Sequence, residues 1–238
     1  MLDAHAVTDR GQVRSTNQDA FRMVPELGLY LLADGMGGAR GGERASLLAV
    51  ETVAEALARS GHRDAGALLA AVEEANLLVF KEAAGDRRYE GMGTTLVAAL
   101  ETRGGEVAIA SVGDSRAYLF ESGRLRAITE DQTWVQEVGR TLGLDDNSVK
   151  IHPMRHILTM AVGVGPAVRI GYYAVELRRG SLLMLSSDGL HDVVPEERIA
   201  EILKVSERSL EAKCGELAGA AHAAGSPDNV TVLLIQRR

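Results

Sequence analysis

The 238-residue chain is 46% hydrophobic and carries a formal net charge of −7 at pH 7. A chain of this length can bury a sizeable core in one large domain or in two small ones. Its acidic balance, without clusters of lysine and arginine among aromatic residues, argues against a nucleic-acid partner, and no apolar run is long enough to cross a membrane.

The cysteine content and the N-terminus indicate a reducing compartment. Cys214 is the single cysteine, so the chain forms no intrachain disulfide. The first residues lack the apolar stretch of a signal peptide. We therefore expect a cytoplasmic protein without a membrane partner.

The first half of the chain predicts strands around a glycine-rich turn, followed by two helices. Residues 4–8 form a short strand candidate, and Leu29–Ala33 has the pattern of a buried strand that ends at Asp34. Glycines follow, which strand interiors tolerate poorly. Apolar residues then recur at helical spacing over 45–57 and again over 68–79, which predicts a packed pair of amphipathic helices.

The second half changes to strands with short turns between them, and helices follow near the end. The predicted elements, in chain order, are strands at Thr94–Leu100, Glu106–Gly113 and Arg116–Phe120, a short helix at 131–140, strands at 168–177 and 181–187, helices around Ile199–Leu203 and at 207–224, and a closing strand at Val230–Gln236. Consecutive strands with short turns pair antiparallel. The long irregular connection 141–166 is predicted to be a flap that faces the substrate. We expect a single domain, residues 1–238, with sheet at the centre and helices outside.

Four aspartates share one local setting. Asp34 and Asp188 each end an apolar strand, Asp114 follows another, and Asp228 precedes the last strand. Strand ends meet at one edge of a sheet, where several carboxylates repel each other unless cations lie between them. Oxygen ligands without cysteine select Mg²⁺ or Mn²⁺, and two such ions suit an in-line displacement at phosphorus. Taken alone, the stretch at Asp34 is as typical of a tight turn as of a site, and the recurrence favours the site.

Arg14 precedes this group in a polar stretch of the chain. Its planar guanidinium matches two phosphate oxygens, which makes it a candidate phosphate ligand. A lone arginine is more often a surface charge, so both alternatives stay open at this point.

Six short segments stand out along the chain. They are RSTNQDAF (Arg14–Phe21), ADGMGGARGGERAS (Ala33–Ser46), GMGTT (Gly91–Thr95), VGDSRAY (Val112–Tyr118), SSDGLHDV (Ser186–Val193) and SPDNVTV (Ser226–Val232). In this order they resemble the metal-dependent PP2C-type protein serine/threonine phosphatases, specifically their compact bacterial branch. The resemblance implies an α+β fold of two packed antiparallel sheets flanked by pairs of helices. It also implies hydrolysis of phosphoserine and phosphothreonine on proteins, opposing a serine/threonine kinase.

Carried over by position, the resemblance implies that Asp34 bridges two metal ions. The carbonyl of Gly35 would bind one ion, and Asp188 and Asp228 would bind the other. A water or hydroxide between the ions would attack the phosphorylated residue directly. The ions implied are Mn²⁺ or Mg²⁺.

The resemblance also implies roles for three further residues. Asp19 is similar to an acidic residue near the metals, bound directly or through water. Arg14 is similar to the arginine that binds the substrate phosphate. Asp114, together with Asp188, is similar to the pair that holds a third ion in bacterial members.

Several positions depart from the family's pattern. Gln18 stands where many members have glutamate, and Met36 where eukaryotic relatives often have a histidine proposed as general acid. Met160, in the predicted flap, stands where bacterial relatives often have arginine. His152 and His156 lie in the same connection without a partner at metal-ligand spacing, and we predict that they are surface residues. Because Met36 has no proton to donate, a water held by a metal is expected to protonate the leaving group.

Two other functions share some of these features. A phosphohydrolase of small phosphoesters would keep the metals, and a catalytically silent phosphoprotein-binding module would not need them. The complete set of implied ligands to the two ions argues against the silent module. We expect a monomer whose partners are phosphorylated proteins and a cognate kinase, and not nucleic acid.

Overall fold

The structure, a computed structural model, describes residues 2–139, 141–145, 148 and 152–237. The strands in this part of the chain are β1 (Leu2–Asp9), β2 (Asp19–Val24), β3 (Leu29–Met36), β4 (Gly93–Thr94), β5 (Leu96–Glu101), β6 (Val107–Val112), β7 (Arg116–Glu121), β8 (Arg124–Ala127), β9 (Gly171–Val175), β10 (Leu182–Ser186) and β11 (Val230–Arg237). The helices are α1 (Gly38–Ser60), α2 (Ala65–Gly85), α3 (Asp188–His191), α4 (Glu196–Lys204) and α5 (Leu210–Ala223), with a 3₁₀ turn at Arg87–Tyr89. Among the described residues, no helix combines the length and the apolar character that crossing a membrane requires.

The strands form two antiparallel sheets that pack face to face. The first sheet has the order β1-β11-β10-β7-β8, and the second has the order β2-β3-β5-β6-β9 with β4 beside β3. One apolar cluster joins the two sheets and includes Tyr30, Leu183 and Leu233. Helices α1 and α2 cover the outer face of the second sheet, and α3, α4 and α5 cover that of the first. The resulting layers confirm the predicted α+β class of two packed antiparallel sheets flanked by helices.

Strand β3 shows why the central strands are apolar on both faces. Leu29, Leu31 and Ala33 pack toward the helices, whereas Tyr30 and Leu32 join the cluster between the sheets. Successive side chains of a strand point to opposite faces, and both faces of this sheet are covered. An unbroken apolar run is therefore the pattern that this architecture requires.

Helices α1 and α2 form the predicted packed pair. Gly61 follows α1 with a φ of 67°, in the left-handed region that glycine adopts without strain. Asp64 then caps α2, because its side chain accepts a hydrogen bond from the Ala67 N–H at 2.9 Å. This short connection keeps the two helices adjacent.

Some element boundaries differ from the prediction. Strand β3 does not end before Asp34 but runs through it to Met36, because β4 pairs with its last two residues. Asp188 does not end β10; it follows Ser187 and begins the short helix α3. Strands β2, β4 and β8 were not predicted. Strands β4 and β8 have two and four residues, which are too few to show a period, and the six residues of β2 follow directly on a segment of turn-forming residues. The strand predicted at 168–177 contains β9, which has five residues.

The connection between β8 and β9 contains the predicted short helix and the predicted flap. Val135–Gly139 forms a single π-helical turn. Arg140 and the flap residues 146, 147 and 149–151 lie outside the described residues. The end of the flap is tied to α2, because the Asn76 side chain accepts the Gly163 N–H at 2.8 Å. The end of the flap therefore lies against α2, and Val162 also pairs with Thr94 of β4.

Candidate active site

The ends of β3, β6, β10 and β11 meet at one edge of the sheets and surround a cavity of about 880 Å³, which we call the acidic cavity. Its walls include six of the seven predicted site residues, namely Arg14, Asp34, Gly35, Asp114, Asp188 and Asp228. The seventh, Asp19, is paired with Asp34 across β2 and β3. The fold thus brings the whole predicted set together.

Two threonines at β4 hold the backbone of Asp34. The Thr95 hydroxyl accepts the Asp34 N–H at 3.0 Å, and the Thr94 hydroxyl donates to the Asp34 carbonyl at 2.8 Å. The hydroxyls of Thr95 and Ser115 lie 2.6 Å apart and hydrogen-bond each other, and Ser115 is next to Asp114 in the chain. These contacts link the two positions from which carboxylates enter the cavity, and such supporting bonds orient metal ligands.

Asp19 is almost fully buried, and hydroxyl groups hold one of its oxygens. Its Oδ2 accepts hydrogen bonds from Ser187 Oγ at 2.8 Å and from Thr231 Oγ1 at 2.7 Å. Its Oδ1 is buried without a hydrogen-bond partner among the described residues. Such an oxygen is costly unless a proton or a cation meets it. Asp19 therefore fits a place beside bound ions.

The glycine of each Asp-Gly pair is required by close backbone packing. A Cβ on Gly35 would lie 2.0 Å from the carbonyl oxygen of Gly42 in α1, and one on Gly189 would lie 1.9 Å from that of Asn229. Neither neighbour is a flexible side chain, so any larger residue would displace the backbone. At the two pairs, the backbone of α1 and the backbone just before β11 are therefore in direct contact with the backbone of the site.

The carboxylates of the cavity raise one another's pKa because they share a poorly hydrated site. Burial, and then the charges of neighbouring aspartates, raises the pKa of Asp34 and that of Asp188 well above the ordinary range. Burial raises the pKa of Asp19 to about 6. Burial, and then nearby carboxylates, raises the pKa of Asp114 to about 7. The cluster therefore resists carrying its full negative charge unless a cation compensates it.

The donor atoms fit hard divalent cations. Asp188 Oδ1, like that of Asp19, is buried without a hydrogen-bond partner in the described part of the chain. The positive charge nearest Asp228 is Arg14, whose Nη2 lies 2.5 Å from Asp228 Oδ2, so Arg14 is engaged rather than free. Carboxylate oxygens without cysteine are the ligands that Mg²⁺ and Mn²⁺ prefer.

The raised pKa values predict that the metal-free protein loses stability as the pH rises. Asp19 and Asp114 have folded-state pKa values of about 6 and 7. The stability they contribute is complete below their unfolded pKa of about 4 and is lost as the pH rises through the folded values. In EDTA we expect the free energy of unfolding to fall by about 4 kcal/mol between about pH 5 and pH 8, because about one pKa unit for Asp19 and two for Asp114 each count about 1.4 kcal/mol per unit. Urea unfolding measures this fall, Mn²⁺ should reverse it, and equal or higher stability at the upper pH in EDTA would contradict it.

The structure adds three residues to the cavity that were not among the predicted ligands. His156 Nδ1 lies 3.0 Å from Asp192 Oδ2, and ligand atoms of His156, Asp188 and Asp192 lie within 4.8 Å of one another. His156 is exposed, as predicted, but it does have a carboxylate partner, Asp192. Asp192 had a signal in the sequence, because it follows Asp188 by one helical turn. Arg155, which also lines the cavity, had none.

Comparison with known proteins identifies the family. The family model described as Protein phosphatase 2C matches residues 8–220. The serine/threonine phosphatase stp of Listeria welshimeri is 37% identical over 249 aligned positions, which cover 99% of this chain and 96% of the relative.

Solved structures agree with the sequence matches. The crystal structure of the Mycobacterium tuberculosis serine/threonine phosphatase PstP/Ppp superposes with a TM-score of 0.88 at 35% identity, covering 99% of this chain and 98% of that one. The catalytic domain of PstP in complex with two manganese ions superposes with a TM-score of 0.85 at 32% identity, covering 99% and 97%. The chain therefore belongs to the protein phosphatase 2C family of serine/threonine phosphatases.

Proposed function

We propose that this chain removes phosphate from phosphoserine and phosphothreonine residues of proteins, with Mn²⁺ or Mg²⁺ in the acidic cavity. The observation that carries the proposal is the convergence of five carboxylates, the four predicted ones and Asp192, on one cavity whose wall also holds Arg14. The relatives named as serine/threonine phosphatases support the substrate class. We further propose that residues 1–238 act as one monomeric domain in the cytoplasm and oppose a serine/threonine kinase.

The proposed metal ligands are the residues already brought together in the cavity. Asp34 would be shared by two ions, with the Gly35 carbonyl on one and Asp188 and Asp228 on the other. Asp19 would lie beside them, bound directly or through water. When bound, such ions polarise the phosphoryl group and lower the pKa of water so that it can attack phosphorus. The PstP complex with two manganese ions supports a two-ion centre in this fold.

Arg14 is proposed to bind the phosphate oxygens of the substrate. Its side chain is 53% exposed, and it reaches the cavity from the loop between β1 and β2. The contact with Asp228 is made by one nitrogen, Nη2, so it does not use the whole guanidinium. The remaining N–H groups match the planar, two-point recognition of phosphate.

Arg14→Ala is expected to weaken catalysis without weakening metal binding. We expect kcat/KM on a phosphothreonine peptide to fall about 10–100-fold, the range that follows from losing charged hydrogen bonds. Metal affinity, measured by calorimetric titration of Mn²⁺, should stay unchanged or rise, because Arg14 no longer competes for Asp228. Arg14→Lys is the matched variant, since it keeps the charge and loses the planar geometry. If Arg14→Ala binds Mn²⁺ more weakly, Arg14 belongs to the metal site and not to the phosphate site.

A direct assay tests the proposed function as a whole. The purified protein with Mn²⁺ or Mg²⁺ should release phosphate from phosphothreonine and phosphoserine peptides, and EDTA should abolish this release. Faster turnover of small phosphorylated metabolites than of phosphopeptides would instead indicate a phosphohydrolase of small phosphoesters. Binding of phosphopeptides without any turnover would indicate a silent module. Rescue by Zn²⁺ alone would contradict the oxygen-ligand site.

A further inference from the structure

A second cavity, of about 1100 Å³, lies directly beside the acidic cavity. Its walls come from the segment after β8, from the flap and from the chain around the start of α4. The two cavities share Asp114, Arg155, His156, Asp192 and Val193. A chain bound with one side chain in the acidic cavity can therefore continue into the second.

One buried polar atom in the wall of the second cavity lacks a partner. Thr133 lines this cavity and is only 2% exposed, and its Oγ1 has no hydrogen-bond partner among the described residues. His191, in the same wall, does have partners, because its Nδ1 is hydrogen-bonded to Ser186 Oγ at 2.9 Å and its ring is also hydrogen-bonded to the Asp114 backbone. Since buried polar atoms are nearly always paired, Thr133 Oγ1 points to a polar ligand.

Some carboxylates in the wall of the second cavity have a basic side chain as partner, and others have none within the described residues. Asp131 forms an ion pair with Arg116 and Glu137 forms one with Arg169, and Asp192 Oδ2 lies 3.0 Å from Nδ1 of His156. Glu130, Glu196 and Glu197 form no ion pair within the described residues, and Arg155 is the wall arginine that likewise forms none. All three glutamates are exposed. The cavity therefore presents an excess of negative charge to whatever enters it.

We propose that the second cavity binds the substrate residues that flank the phosphorylated serine or threonine, and that Glu130, Glu196 and Glu197 select arginine or lysine there. This inference rests on the proposed function and names the chemistry of its substrate. An extended chain advances about 3.3 Å per residue, so the selected positions lie within a few residues of the phosphorylated one. The partnerless Oγ1 of Thr133 would then meet a polar group of the peptide.

Glu196 and Glu197 also lie in the first turn of α4, where negative charge stabilises a helix. That structural role would change stability and would leave the choice among peptides untouched. Peptide preference is therefore the readout that separates the two roles.

The experiment compares phosphothreonine peptides that differ only in their flanks. Each of the three peptides carries a single residue type, arginine, glutamine or glutamate, at four positions. These positions lie two and three residues before the phosphothreonine and two and three residues after it. At low ionic strength we expect kcat/KM for the arginine peptide to exceed that for the glutamate peptide about tenfold or more, because three exposed ion pairs of modest strength add up to this factor. The E130Q/E196Q/E197Q variant should lose most of this ratio.

A matched variant controls for net charge. E73Q/E106Q/E211Q removes the same number of carboxylates from exposed positions that line neither cavity, and it should keep the full ratio. Turnover of p-nitrophenyl phosphate should be equal in all three proteins, which shows that folding and metal binding are intact. Equal kcat/KM for all flanks, or an arginine preference that survives in E130Q/E196Q/E197Q, would overturn the inference. Absence of turnover on every phosphopeptide would instead overturn the proposed function.

Discussion

Asp34→Asn is expected to lower kcat on phosphopeptides by about a thousandfold or more, because several kcal/mol of metal-derived stabilisation of the transition state are lost. Asp34 is the residue proposed to serve both core ions, and its carboxylate interacts with the other aspartates of the cavity. Asparagine keeps the shape and the backbone bonds to Thr94 and Thr95 but removes the charge. Mn²⁺ titration followed by calorimetry should show the loss of both core ions together.

The fold of this variant gives an independent check. The pKa of Asp34 is raised by burial and by neighbouring carboxylates, so the charge destabilises the metal-free protein at neutral pH. Asp34→Asn should therefore unfold in EDTA at a urea concentration equal to or higher than that of the unmodified chain. Turnover close to that of the unmodified chain with saturating Mn²⁺ would rule out the bridging role. Lower stability in EDTA would mean that loss of the fold explains the inactivity.

Asp114→Ala is expected to lower kcat on phosphopeptides by about a hundredfold while sparing aryl phosphates. The alkoxide of serine or threonine needs a proton as it leaves, and general acid catalysis contributes about this factor. Met36 lines the cavity and has no proton to donate, so protonation is proposed to depend on a third ion held by Asp114 and Asp188. An aryl phosphate leaves as a weakly basic phenolate and needs little protonation. Rates on a phosphothreonine peptide and on p-nitrophenyl phosphate, measured side by side, test the difference.

The same variant separates this role from a local structural one. If Asp114 only supported the turn before Ser115, its loss would reduce both rates by the same factor through stability. Two Mn²⁺ ions should still bind tightly to Asp114→Ala, and the weakest binding event of the unmodified chain should disappear. Equal losses on the two substrates, or none on either, would remove the third ion from the mechanism.

Residue patterns in the sequence determined that helices lie outside a central layer of strands, and the resemblance to a known family added the division into two packed sheets and the roles of the candidate site residues. Buried strands, amphipathic helices and short turns are local patterns, and each is set by the period of its apolar residues. The Asp-Gly pairs could be recognised in the sequence because a carboxylate directly after an apolar run is costly to bury unless a cation or a hydrogen-bond donor compensates it. Six motifs in a fixed order then named the family, and the fold matches it.

Only the tertiary structure decided how these residues meet. The contact of Arg14 with Asp228 joins positions 214 residues apart, and that of Asp19 with Thr231 joins positions 212 apart. Such contacts depend on which strands pair with each other in the sheets. The spacing of residues within one segment does not specify that pairing. The partners of His156 and the negative second cavity were invisible for the same reason, because the flap and the start of α4 approach each other only in the folded chain.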